Sequence, residues 1–397
     1  MFLKKVFKII IINIFIIFLV SFFFEIILRI DGRYSKNVNR ILVASNAIFE
    51  PMSNSKIEIS HPDGGQNVPN NYDESGVNNF NFQEDTKNKK NIIGLFGDSF
   101  TENIAIHNQF RIETVLNNKL FNNNFNYVNY GVNGYGLDQI FIRYLKYKTH
   151  DIKKVVYIFC ENDIRNLYEN QLFLYKNNQL FYNEPKINKI ANILNKFHFS
   201  FFLLETYYVF DYLFFTKFKN LSLHNISNTR AWFLKEADTQ FANKFNKHLI
   251  DQRARHEDYY ASKMSAEILS NQTSNNTIYY IKLFNDLLRN FKKEVNLDGR
   301  EFYIAVVSRS IDTLIFNNII EEKESYNILY LEESFLQEKN NSNENFYFKK
   351  DGHWSEIGNL YVAKYIWEHL NSKSLNFEQQ ELLHKLKELV KSVYTKN

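Results

Sequence analysis

Gly94-Leu95-Phe96-Gly97-Asp98-Ser99-Phe100-Thr101 is the stretch on which the fold turns. The apolar run Ile92-Ile93-Gly94-Leu95-Phe96 stops at Gly97-Asp98-Ser99 and becomes polar. That pattern predicts a buried strand delivering a serine onto a tight turn. A serine hydroxyl becomes a nucleophile only beside a base. The candidate base stands far downstream, in Asp351-Gly352-His353-Trp354.

Around this stretch the chain reads as alternating strands and helices. Strands are expected at residues 91–96, 126–130, 154–160, 301–307 and 328–331. The first and third are nearly continuous apolar runs, as central parallel strands covered on both faces require. Helical spacing of apolar residues falls at 110–120, 137–148, 277–295 and 360–370. Alternation of this kind predicts an α/β fold: three layers (α/β/α), about five mainly parallel strands and a flavodoxin-like topology. Residues 172–182 read as a hairpin turning at Asn177-Asn178. The aromatic-rich stretch 197–218 is read as an extra core helix, with a lid or a membrane-facing surface as alternatives. Residues 219–275 are polar and low in pattern, and 378–393 form an amphipathic helix.

Composition bounds the function. The 397 residues suit one large domain with insertions or two small ones. With 45% hydrophobic and 17% aromatic residues, a sizeable core is expected. The formal charge is only +4, and no lysine/arginine stripe appears beyond the extreme N-terminus, which argues against a nucleic-acid partner. The single cysteine, Cys160, excludes an intramolecular disulfide and cysteine-based zinc patterns.

Residues 9–24 are almost purely apolar, broken by Asn13 and Ser21 and preceded by Lys4, Lys5 and Lys8. With Ile26-Ile27-Leu28 the run reaches roughly 20 residues, the length that crosses a bilayer as a helix. No small-residue cleavage site follows Phe24, as a removable signal peptide would need. A soluble buried helix is rarely apolar on every face. Residues 1–30 are therefore expected to be a single-pass anchor, held in the cytoplasmic membrane through residues 6–28. The lysines keep its N-terminus inside and place the folded domain on the extracytoplasmic side, periplasmic or outer. Residues 31–90 read as a polar connecting segment and 91–375 as the catalytic domain, with an insertion over about 165–275. Residues 376–397 hold the C-terminal helix.

Four short segments fall where open α/β sheets keep their sites, mostly at strand carboxyl ends. They are Gly97-Asp98-Ser99, the run 129–136 with Asn133-Gly134, Glu161-Asn162-Asp163, and Asp351-Gly352-His353. Acyl transfer needs a nucleophile, a base and donors for the oxyanion, and these segments supply the residue types. Ser99 would attack a carbonyl carbon, His353 would take its proton, and Asp351 would orient the imidazole. Oxyanion donors would be backbone N–H groups approaching closely at a glycine and the side-chain amide of Asn162. Asp98 is read as support for the turn, and Cys160 as a buried, inert thiol. His107 and His150 lack such context and are read as surface residues. Each segment alone suits a plain structural role; their joint occurrence in this order favours a site.

In this order the segments resemble the four blocks of the SGNH/GDSL hydrolase superfamily, over roughly residues 91–370 without the insertion. Asn133-Gly134 resembles the second block, whose glycine donates to the oxyanion hole; Asn162-Asp163 resembles the third, and Asp351 with His353 the last. Cys160 stands where the third block usually has glycine. Only Gly352 separates Asp351 from His353, where the last block usually has two residues. The resemblance implies a serine esterase or O-acyltransferase that needs no metal or nucleotide, with Asp163 as a supporting residue. The anchor together with the Asp-x-His-Trp ending is similar to membrane-anchored bacterial members that act on envelope polysaccharide. The substrate implied is an acylated carbohydrate; a lipid ester and a non-catalytic scaffold on the same fold are the alternatives.

Overall fold

The computed structural model describes residues 43–45, 48–51, 53–59, 61–64, 67–78, 89–121, 124–170, 172–176, 179–182, 264–341, 344–349 and 351–394, together with positions 13, 22, 23 and 26. The chain divides into two compact units. Residues 45–185 with 258–397 form the unit described below, while 1–44 with 186–257 lie almost wholly outside the described residues.

The first unit begins with an antiparallel hairpin, β1 (Lys56–Ile59) and β2 (Val68–Asn71). β3 (Ile92–Gly97) leads into the one-turn helix α1 (Ser99–Glu102) and then α2 (Ile112–Leu116). β4 (Asn126–Asn129), α3 (Leu137–Tyr147), β5 (Ile152–Phe159) and α4 (Asn162–Asn170) follow. A second hairpin pairs β6 (Phe173–Lys176) with β7 (Gln179–Tyr182), flanking the expected turn at residues 177–178. After the second unit come α5 (Asn275–Leu297), β8 (Glu301–Val306), α6 (Ser310–Ile319) and β9 (Asn327–Tyr330). α7 (Leu331–Asn341), α8 (Glu356–Asn371) and α9 (Phe377–Tyr394) complete the unit.

Five strands form one sheet in the order β9-β8-β5-β3-β4, and every adjacent pair is parallel. In chain order of the sheet strands this is 5-4-3-1-2, the flavodoxin-like arrangement read from the other edge. The order reverses between β3 and β5, so a crevice opens outside their carboxyl ends. All six residues of β3 are buried, as a two-sided cover demands. On one face Ile93, Leu95, Val156, Ile158 and Ala305 pack with Leu360, Val362 and Ile366 of α8. On the other, Phe96 stacks on Tyr130 with 4.7 Å between centroids and meets Tyr144 of α3 and Phe291 of α5. Helices thus cover both faces of the sheet.

Differences from the sequence-based expectation have physical causes. Residues 31–90 are expected as polar connection, yet their described part from Ser45 onward belongs to the sheet unit. The side chain of Glu50 meets the buried Arg143 of α3 at 3.1 Å, and Tyr72 donates to Glu102 at 2.8 Å. Partnered charge and amide groups bury this stretch without an apolar pattern. α2 is shorter than expected: a 3-10 turn at Asn108–Phe110 takes up its start, and it ends at Leu116, where Asn117 turns its side chain to the Tyr127 backbone. Among the described residues no helix is long and apolar enough to cross a membrane. Nearly all of the anchor segment and all of the 197–218 stretch lie outside the described residues.

Candidate active site

Ser99 owes its position to the way β3 ends. Gly97 is the last strand residue, and a Cβ there would stand 2.0 Å from Thr101 Oγ1 and 2.8 Å from the Ile158 carbonyl oxygen. Only glycine lets the chain turn so tightly against β5 and α1. Asp98, fully buried, then caps α1: its Oδ1 accepts from the Phe100 N–H at 2.9 Å. Its other oxygen lies 3.3 Å from the Ser99 hydroxyl. The sequence reading of Asp98 as turn support matches this geometry.

The distant segment arrives as expected. Ser99 Oγ lies 2.7 Å from His353 Nε2 across 254 residues of sequence, and His353 Nδ1 lies 2.5 Å from Asp351 Oδ1. In the tautomer protonated at Nδ1, the ring donates to Asp351 and leaves Nε2 to accept the serine proton. The short Asp-Gly-His spacing works because Gly352 has φ +76°, a left-handed conformation that folds Asp351 back toward the ring. The loop is pinned from behind. Trp354 is fully buried and donates from Nε1 to Ser308 Oγ at 2.8 Å, and the Phe348 N–H donates to the His353 carbonyl at 2.8 Å. The Phe100 ring packs against both His353 (4.7 Å) and Trp354 (4.9 Å). Ser355 caps α8, its hydroxyl accepting from the Gly358 N–H at 3.2 Å.

The expected oxyanion donors sit on the same edge of the sheet. Ser99 opens α1, where its N–H has no intrahelical partner. Gly134 lies in the turn after β4; its carbonyl accepts from Asn166 Nδ2 at 3.1 Å. Asn162 opens α4 at the end of β5, and its side-chain oxygen is buried without a hydrogen-bond partner among the described residues. A side-chain amide whose oxygen lacks such a partner is not locked in one orientation and can turn its donor toward an incoming oxygen. Asp163 lies deeper. Its Oδ2 accepts from Tyr157 OH at 2.6 Å and from the Cys160 N–H at 3.1 Å. Burial, reinforced by the charge of Asp98, pushes its carboxyl well above the usual range. Burial likewise pushes the Cys160 thiol well up, so this cysteine does not act as a thiolate nucleophile.

Several site neighbours escaped the sequence reading. Glu102, buried, accepts from the Asn133 N–H at 2.8 Å and so fixes the loop before Gly134. Asn166 donates to the Gly134 and Tyr135 carbonyls; its spacing of four from Asn162 on one helix is the signal that finds it. Arg309 follows β8 and pairs with Asp312 at 2.6 Å; the strand-end rule, applied to the fourth strand, points to it. His107 and His150, expected at the surface, are half-buried instead. His150 Nδ1 meets Tyr130 OH at 2.9 Å, and His107 stacks on His61 at 6.1 Å.

These groups are a hydroxyl beside an imidazole, a carboxylate within hydrogen-bond distance of that ring, and backbone and amide donors along the same edge. No protein-family model matches this sequence, and no curated protein is significantly similar to it.

Proposed function

We propose that this chain is a serine esterase or O-acyltransferase of the SGNH/GDSL type, acting on an acylated glycan outside the cytoplasmic membrane. One observation carries the reading: the Ser99–His353–Asp351 chain, closed at 2.7 and 2.5 Å between remote segments. Ser99 Oγ attacks the ester carbonyl carbon while His353 Nε2 takes its proton. The tetrahedral oxyanion accepts hydrogen bonds from the Ser99 and Gly134 N–H groups and the Asn162 amide, each worth about 3 kcal/mol. Collapse expels the alcohol, which receives the proton from His353. Water or a sugar hydroxyl then repeats the sequence in reverse on the acyl-serine. Asp351 holds the tautomer and stabilises the imidazolium. The glycan and the membrane-anchored, extracytoplasmic placement rest on the sequence resemblance and on the lysine-flanked apolar run at residues 9–24.

A serine-reactive fluorophosphonate tests the assignment. The unaltered protein should label, Ser99→Ala should not, and His353→Ala should label far more slowly. Equal labelling of all three, or none of the unaltered protein, sinks the nucleophile. Acetate release from an aryl acetate, with and without a glycan acceptor, then separates hydrolysis from transfer.

A further inference from the structure

Arg309 packs against Phe100, the residue after the proposed nucleophile, yet takes no part in the proton chain. It follows β8 and precedes α6, on the same carboxyl edge of the sheet as Ser99 and Asn162. Its guanidinium carbon lies 4.9 Å from the centroid of Phe100, whose ring packs 4.7 Å from the His353 imidazole. Its Nη2 lies 3.0 Å from Cys160 Sγ and 3.7 Å from Glu161 Oε1, the two residues before Asn162. The cation therefore sits between the chain neighbour of the nucleophile and those of the oxyanion amide.

Asp312 clamps it. Nε donates to Asp312 Oδ2 at 2.6 Å and Nη2 to Oδ1 at 2.9 Å, while the Glu161 N–H donates to the same Oδ1 at 2.8 Å. These contacts engage one edge of the guanidinium. Nη1 makes no hydrogen bond among the described residues, and 31% of the side chain remains exposed. A planar cation stacked on an aromatic ring, held on one edge and open on the other, is suited to bind a carboxylate or phosphate. Burial disfavours its charge, but the hydrogen bonds it donates to Asp312, together with the neighbouring acidic groups, outweigh this and keep the group ionised.

We propose that Nη1 of Arg309 binds an anionic group borne near the ester, so that the site takes acylated acidic glycans. This deepens the serine-ester reading and rests on it. Asp312 and Glu161 cancel much of the field, so the selectivity is directional contact rather than long-range attraction.

The test compares acetylated methyl glucoside, acetylated methyl glucuronide and an acetylated glucose phosphate. Enzymes are the unaltered protein, Arg309→Gln, Arg309→Lys and the double variant Arg309→Gln/Asp312→Asn, which leaves no buried carboxylate stranded. The unaltered protein should favour one charged ester over the neutral one by about tenfold or more in kcat/KM. The favoured ester identifies the anion as carboxylate or phosphate. The ratio should fall to about one in Arg309→Gln and in the double variant, and recover partly in Arg309→Lys. Equal kcat/KM on all three esters, or a proportional loss on all three in folded variants, overturns the proposal and leaves only a structural ion pair. Failure of the serine-ester reading is separable. Methyl glucuronide and inorganic phosphate are titrated into Ser99→Ala with and without Arg309→Gln. At least one probe should bind about tenfold more weakly without Arg309, whatever the fluorophosphonate reports for Ser99. Binding of neither probe overturns the proposal.

Discussion

Ser99 projects from a turn with no spare volume, between the fully buried Asp98 and a glycine that tolerates no Cβ. His353 and Asp351 project from a loop whose side chains are 31% and 36% exposed. The loop keeps its place by contacts made behind it: Trp354 on Ser308, and the Lys349 N–H on Asp63 at 3.1 Å. One half of the site is fixed by close packing at a strand end, the other by bracing from remote segments. The difference teaches where each half is vulnerable. Ser99 depends on its immediate sequence, whereas His353 depends on residues tens to hundreds of positions away.

The largest expected effect separates the two members of the exposed half. His353→Ala should lower kcat on an aryl acetate by about a millionfold if the base and nucleophile act as a unit. Asp351→Asn should cost far less, roughly a hundredfold, against about ten-thousandfold for a buried orienting aspartate. Water at the half-exposed carboxylate can take over part of its hydrogen bond. Initial rates for the two variants check this. A loss of similar size in both would show that Asp351 is as indispensable as a buried partner and would break the contrast drawn above.

A second effect falls on stability. Trp354→Ala should lower the unfolding free energy by about 4 kcal/mol, from lost burial and the cavity left behind. Urea denaturation measures it. A cost under about 1 kcal/mol would mean that the loop is held by something other than its tryptophan.

The same contrast governs what the sequence made legible. The central sheet strands were readable because buried parallel strands write nearly continuous apolar runs, as in residues 92–96 and 155–159. Ser99 and His353 were readable because their segments occur together, in order and mostly at strand ends. α1 and α4 were not readable as helices: each begins at a site residue, so polar groups needed for the site interrupt the apolar spacing. The bracing of the loop was also silent. His61, Asp63 and Asn70 look like polar linker, and the groups that satisfy them lie tens to hundreds of residues away. Pairing at such separation leaves no periodicity to read.

The smallest expected effect probes that brace by pH. His107 stacks on His61, whose Nε2 meets Glu356 Oε1 at 3.2 Å at the start of α8, close behind the His353 loop. Burial lowers the His107 pKa; Glu356 opposes this, and His61 and Arg111 add to it. The unfolded chain therefore binds a proton more readily than the folded one below the ordinary value of 6.5. The stability that His107 contributes is complete above that pH and drains away as pH falls through it toward the lower folded value. His107 is only half-buried, so solvent screens much of this effect. His107→Gln should thus lose slightly less unfolding free energy than the unaltered protein between pH 7 and pH 5. Parallel pH profiles for the two proteins would remove His107 from the acid response and leave the brace to the His61–Glu356 contact alone.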